Sequence, residues 1–302
     1  MNMTHVRLSC LSALALAALT PADAYAGAWA QEERGLYAKL AYGKSFATEQ
    51  FKDGGEKLQL LSEDLEGSFD LNSALIYVEY GVVERLTLTF SAALMDVTLD
   101  SPIQRVTVRG FGDVIVGGRF QFLDGPVVMS AMVNFKTPTG YSPELGDLRP
   151  TLGNGVNEVD GRLSVGASFY PIPAYFSVDA GFRWRGARSV RGGGSRVDFS
   201  NEIPFTGELG YGFDLGGATG GVVNSLLVRG AFAGIYGLGD AGEINAVALT
   251  PTVQRFFKAG PSVIVTLFDS YQISVDYMFT PVGVNALQSH DVFVGLAFDT
   301  TL

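Results

Sequence analysis

From Tyr175 to Arg185 the chain alternates without a break. Phe176, Val178, Ala180, Phe182 and Trp184 take the even positions, while Ser177, Asp179, Arg183 and Arg185 fall between them. A period of two marks a strand with one greasy face and one polar face. The pattern returns at Leu86, Leu88, Phe90, Ala92 and Leu94, at Val114, Val116, Gly118, Phe120 and Phe122, and at Leu163, Val165, Ala167 and Phe169. Each run is about ten residues, the length of a tilted strand crossing a bilayer, whereas strands of soluble proteins average about five or six. A soluble sandwich or lipocalin-like barrel would also alternate, with its apolar face inward. Three features oppose that reading. The polar face is small and charged, as a wet lumen is. Aromatic side chains gather toward the strand ends. Short and long joints also follow one another in turn.

The alternation predicts strands near 34–44, 68–81, 86–97, 107–122, 127–137, 159–170, 174–186, 200–214, 223–237, 243–256, 262–279 and 290–299. Short joints are expected at 82–85, 123–126, 171–173, 215–222 and 257–261, where Gly, Pro and Asp supply turn chemistry. The remaining joints are mostly longer. An open sheet cannot span lipid, because its edge amides would go unpaired, so the sheet must close. The expected fold is therefore all-β: a transmembrane antiparallel up-and-down β-barrel of about twelve strands. Ten or fourteen stay open, since 262–279 is interrupted at Asp269-Ser270 and admits division.

The N-terminus reads differently. Arg7, an apolar run from Leu8 to Leu19, Pro21 and then Ala24-Tyr25-Ala26 have the form of a secretory signal peptide cleaved after Ala26. The expected organisation is a signal peptide over 1–26 and a barrel over 27–302. The single cysteine, Cys10, falls inside the leader, so no disulfide holds the mature chain. Hydrophobic residues make up 47% and charged ones 17%, which excludes a disordered chain. A net charge of -10 argues against nucleic acid as a partner. The expected setting is the outer membrane of a Gram-negative-type envelope, with outer-membrane lipids as neighbours.

Some segments resemble a known family. Gly27-Ala28-Trp29-Ala30-Gln31 followed by Gly35-Leu36-Tyr37-Ala38-Lys39 is similar to the mature start of the outer-membrane group named for the MetA pathway of phenol degradation and for XagA-like proteins. Gly110-Phe111-Gly112-Asp113 resembles that group's glycine-aspartate strand opening, and Val282-Gly283-Val284-Asn285-Ala286 its late glycine-asparagine loop. The resemblance implies passage of a small, often hydrophobic, solute. It also implies the barrel-assembly machinery as a partner, which in such proteins reads a C-terminal aromatic. This chain departs there: Phe298 stands four residues before the terminal Leu302.

Candidate chemistry is sparse. Ser289, His290 and Asp291 are consecutive, and consecutive strand residues point to opposite faces, so a catalytic triad is not expected and neither is a metal site. A lipid hydrolase remains the least favoured alternative. Glu49, Asp53, Glu56, Glu63, Asp64 and Glu66 make an acidic outer loop, read as solvated. Neither Arg109–Asp113 nor Arg191–Gly194 has the strand-loop-helix setting of a phosphate loop, so no cofactor is expected. Parity instead sends Lys39, Arg119, Arg162, Arg183, Arg185 and Arg229 inward, together with Glu79, Asp113, Asp179, Glu208, Asp214 and Asp276. Tyr37, Tyr77, Tyr170 and Phe293 join them as possible contacts for an apolar solute. The even balance of sign predicts cross-lumen ion pairs. About eight residues precede the first strand, too few for a plug domain. Two functions follow: a passive channel for a small solute, or a non-transporting structural or assembly barrel linked to surface-polymer export.

Overall fold

The computed structural model describes residues 27–60, 66–102, 104–141, 150–189, 196–240, 244–245 and 250–301. The predicted signal segment, residues 191–194, Glu63, Asp64 and Leu302 lie outside them. Twelve antiparallel strands close into one barrel. They are β1 Gly35–Ala47, β2 Ser68–Val83, β3 Leu86–Asp100, β4 Arg105–Leu123, β5 Val127–Thr137 and β6 Glu158–Ser168. Around the other half run β7 Ala174–Arg185, β8 Glu202–Asp214, β9 Val223–Gly237, β10 Arg255–Leu267, β11 Tyr271–Val284 and β12 His290–Thr301. Each strand pairs with the next, and β1 zips to β12 from Gly35 opposite Thr301 to Phe46 opposite His290. Closure leaves no edge strand, which is what makes a sheet tolerable in lipid.

The packing is inside out. Leu40, Val133, Leu163, Leu209 and Leu296 lie at mid-strand and are about half exposed. Residues of the opposite parity, such as Ser73, Thr89, Ser130, Ser164, Ser177 and Ser274, are buried. Outward aromatics cluster near the short-turn end, as in the Tyr271–Phe298 contact of 5.2 Å and the Tyr211–Phe213 contact of 4.9 Å. Others ring the long-loop end, where His290 stacks on Phe46 at 5.0 Å. An apolar belt between two aromatic girdles is the surface that a bilayer solvates. We call the short-turn end inner and the long-loop end outer.

The predicted strand count survives two errors that cancel. Residues 257–261 form no turn but run through β10; there Gly260 lies so close to β11 that a Cβ would sit 1.9 Å from the Tyr277 carbonyl oxygen. The register with β11 slips just before it, between Phe257 and Ala259, where β11 carries the extra residue, and Gly260-Pro261 itself continues the strand in regular register. The described part of the expected strand over 243–256 holds only the two-residue bridge of Ile244–Asn245 with Thr250–Pro251 and the first residues of β10. The stretch 262–279 divides instead, as the Asp269-Ser270 interruption allowed. Phe268 and Asp269 both have positive φ, 49° and 60°, the backbone of a tight primed hairpin turn. Gly110–Asp113 opens no strand either; it lies within β4, where Gly112 and Asp113 together oppose Ala93 in a second bulge.

The wall is uneven. β4 pairs with β5 only from Val114 onward, so no described strand pairs with Arg105–Asp113 on that side. The Thr139 hydroxyl crosses the gap by donating to the carbonyls of Phe111 and Gly112, at 3.0 and 2.8 Å.

Candidate functional site

The interior is filled from both walls. On β4 to β8 the inward residues form one chain of charges. Asp113 meets Lys136 at 3.0 Å, and Lys136 meets Glu158 at 2.9 Å. Glu158 binds Arg185 at 3.2 Å, and Arg185 binds Glu202 at 2.5 Å. Glu202 returns to Arg183 at 3.2 Å, Arg183 to Asp160 at 2.9 Å, and Asp160 to Arg162 at 2.8 Å. Arg162 ends on Asp179 at 3.0 Å, and Asp179 accepts the Thr206 hydroxyl. At the outer end Tyr141 donates to Asp113; burial and that carboxylate push its phenol above the ordinary tyrosine value.

A second cluster sits nearer the inner end. Glu208 takes Arg229 at 2.8 Å and the Tyr175 hydroxyl at 2.9 Å. Arg229 reaches Asp276 at 3.2 Å, and Asp276 faces Lys39 at 3.7 Å. A third pair, Arg119 with Glu79, is wholly buried at 2.8 Å. Tyr77 donates to the same carboxylate, and its ring meets Tyr37 edge-on at 6.4 Å. Burying such pairs costs desolvation that apolar side chains would avoid, so packing alone does not call for them.

The opposite wall changes character along its length. Toward the outer end the inward face of β2 and β3 turns apolar: Phe69, Leu71, Leu75, Met95, Val97 and Leu99 are buried. Phe293 and the loop residues Leu60, Leu152 and Leu287 pack onto them and fill the outer mouth. A cavity of about 90 Å³ lies between this apolar wall and the charged one, touching Leu75, Met95 and Leu152 on one side and Lys136, Asp160 and Arg183 on the other. A larger cavity of about 720 Å³ occupies the inner end, and the two share no lining residue.

The residues before β1 also lie inside. This strap starts beside Ser177 of β7 and passes Gly166 of β6, where a Cβ would meet the Trp29 ring at 2.6 Å. Arg119 donates to the Trp29 carbonyl at 2.7 Å. The Ala30 N–H reaches Gln121 at 2.7 Å, the Gln31 N–H reaches Thr87 at 2.8 Å, and the Gln31 amide touches Glu79 at 3.3 Å. Residues 27–34 thus cross the inner half of the barrel.

One of the sequence candidates is corrected and one stands only at the rim. Tyr170 is 93% exposed, because β6 ends at Ser168, yet from its turn it still borders the inner cavity. Asp214 is exposed at the end of β8, where it accepts the Gly216 N–H at 3.0 Å and stabilises a turn. The other fourteen are inside, Arg183, Glu208, Asp113 and Tyr37 less completely than the rest. The sequence reading missed Lys136, Glu158, Asp160 and Glu202. Asp160 and Glu202 share the parity of Arg162 and Glu208 and were accessible to the same argument. Glu158 fell in an expected loop. Lys258 fell in an expected turn; it is buried, 2.5 Å from Asp291 and 3.1 Å from Ser289. His290 points the other way and pairs with the Tyr277 hydroxyl at 2.7 Å, so Ser289, His290 and Asp291 do not converge.

No family model matches the sequence, and no curated protein does. Solved structures do. The chain is similar to the COG4313 outer membrane channel from Pseudomonas putida F1, with a TM-score of 0.69 at 12% identity over 91% of this chain and 99% of that one. It is also similar to the beta domain of the Bordetella autotransporter Brka, with a TM-score of 0.50 at 12% identity over 88% and 99%. The fold is that of a Gram-negative outer-membrane barrel.

Proposed function

We propose that the chain is a passive outer-membrane channel for a small, partly apolar solute. The observation that carries this reading is the interior itself: a barrel meant only as a brace has no need of buried charges strung between two cavities. Charge is nearly balanced along these clusters, so strong ion selectivity is not expected. The apolar outer wall favours a solute with a hydrophobic part. The neighbour from Pseudomonas putida, an outer membrane channel, supports the same reading by analogy of fold. Exposure of this surface to outer-membrane lipids, and insertion by the barrel-assembly machinery, belong to the same proposal.

The strap and the loop-filled outer mouth favour a second reading, a barrel that transports nothing. Planar-bilayer conductance and liposome swelling separate the two, using the mature chain and a variant lacking residues 27–33. The channel reading expects flux that rises when the strap is removed. Silence from both proteins would leave the structural reading.

A further inference from the structure

We propose that the amino terminus made by cleavage after Ala26 is an internal counter-ion: the α-ammonium of Gly27 sits on the β7–β8 wall of the barrel, facing Asp179 and Glu208. Two independent observations meet at this point. The leader pattern ends on Ala24-Tyr25-Ala26, which sets Gly27 as the first mature residue. In the fold Gly27 lies inside the barrel against β7, where a Cβ on it would be 2.4 Å from Ser177 Oγ, so only glycine fits. The next residue, Ala28, is wholly buried. Hydrolysis of the Ala26–Gly27 amide consumes one water. It leaves a carboxylate on the departing leader and an amine on Gly27 that is mostly protonated at neutral pH.

The wall at this point is acidic. Ser177 pairs across the ladder with Glu208, and Asp179 stands two residues further out on the same inward face. Among the described residues, the charge chain of β4 to β8 holds five carboxylates against four bases, and Asp179 is its last member. Glu208 has no base to itself, because Arg229 is shared with Asp276. A buried carboxylate short of positive charge is costly. A compact ammonium with three N–H donors beside Ser177 makes up the missing charge. An uncleaved leader would put a neutral amide in its place. The charge would sit there whether or not a solute passes.

Trp29 and Trp184 are the two tryptophans, and Trp184 faces outward, so in a Trp184→Phe background Trp29 emission reports on the strap. The mature chain purified from outer membranes should begin at Gly27 by mass. Unfolded in urea, one portion is carbamylated at the α-amine with cyanate under mildly acidic conditions, where lysines stay protonated and react far less. A second portion is reductively methylated, which adds bulk and keeps the charge. Both are refolded into micelles beside the unmodified chain, and closure of each barrel is checked by heat-modifiable mobility. The methylated strap should stay docked. The carbamylated strap should let go at lower urea, read as the red shift of Trp29, with docking weakened about tenfold, the loss expected for one hydrogen bond to a charged group. In the folded unmodified protein a pulse of acylating reagent should label Gly27 at least about tenfold more slowly than in the unfolded chain. Asp179→Asn combined with Glu208→Gln should narrow that gap. A mature start elsewhere, equal docking of the carbamylated and methylated chains, labelling as fast folded as unfolded, or a gap unmoved by the double variant would each overturn the proposal.

Discussion

Replacing Arg119 by methionine keeps much of the side-chain volume and removes every polar contact the guanidinium makes. Those contacts include the Glu79 carboxylate at 2.8 and 3.4 Å, the Trp29 carbonyl at 2.7 Å and the Tyr77 hydroxyl, with both charged side chains at 0% exposure. The loss strands Glu79 as an uncompensated buried charge, which costs about 3–5 kcal/mol. The ladder of β4 with β3 and β5 is untouched, so the barrel should still fold. The strain can be relieved locally, because the strap can leave and admit water to Glu79. A bias of about 3 kcal/mol raises the detached fraction by roughly two orders of magnitude. Single-channel recording should then show longer or larger open events, and Trp29 emission should move to the red as the ring meets water. Adding Glu79→Gln should restore much of the lost stability, since removing both partners is far milder than removing one. If Arg119→Met leaves both conductance and Trp29 emission at wild-type values, the strap is not held by this pair. If the double variant is no more stable than the single one in urea unfolding, the charge argument fails.

Other outcomes follow from the same geometry. Gly81→Ala places a Cβ 1.8 Å from the Glu32 carbonyl oxygen of the strap, and should raise conductance without touching Arg119. Leu163→Arg puts a charge at mid-strand on the lipid face and should cost about 2–4 kcal/mol in a vesicle-unfolding titration; Ser164→Ala, one residue on and facing inward, should change stability far less. Gly117→Val would place its Cβ 2.8 Å from the Val133 carbonyl oxygen and drive the branched methyls closer still, and should abolish the heat-modifiable folded band on gels.

The architecture was legible because lipid and lumen impose opposite demands on alternate residues, and the period survives in β3, β6 and β7 without reference to anything distant. It failed where backbone geometry decides. Gly260-Pro261 and Asp269-Ser270 both look like breaks, and only the second reverses the chain, since a glycine that lets two strands approach closely and a hairpin turn draw on the same residue types. Parity located most inward charges but could not say which would meet, because Arg162 finds Asp179 on the next strand while Lys39 finds Asp276 two strands away. Nor did alternation extend to Trp29 and Gln31. They lie outside any strand, and their place inside the cylinder depends on acceptors and donors from β2, β3 and β4.

The overhang of β4 has a mechanical consequence. A tube yields along its weakest line, and here that line is not the junction of first and last strands, which is zipped from end to end. It runs beside Arg105–Asp113, where the Thr139 hydroxyl meets the backbone carbonyls of Phe111 and Gly112 and side chains hold Asp113 in place of a paired strand. Amide hydrogens of that stretch should therefore be the first in the wall to trade with solvent, and any breathing of the cylinder begins at its outer rim on that side.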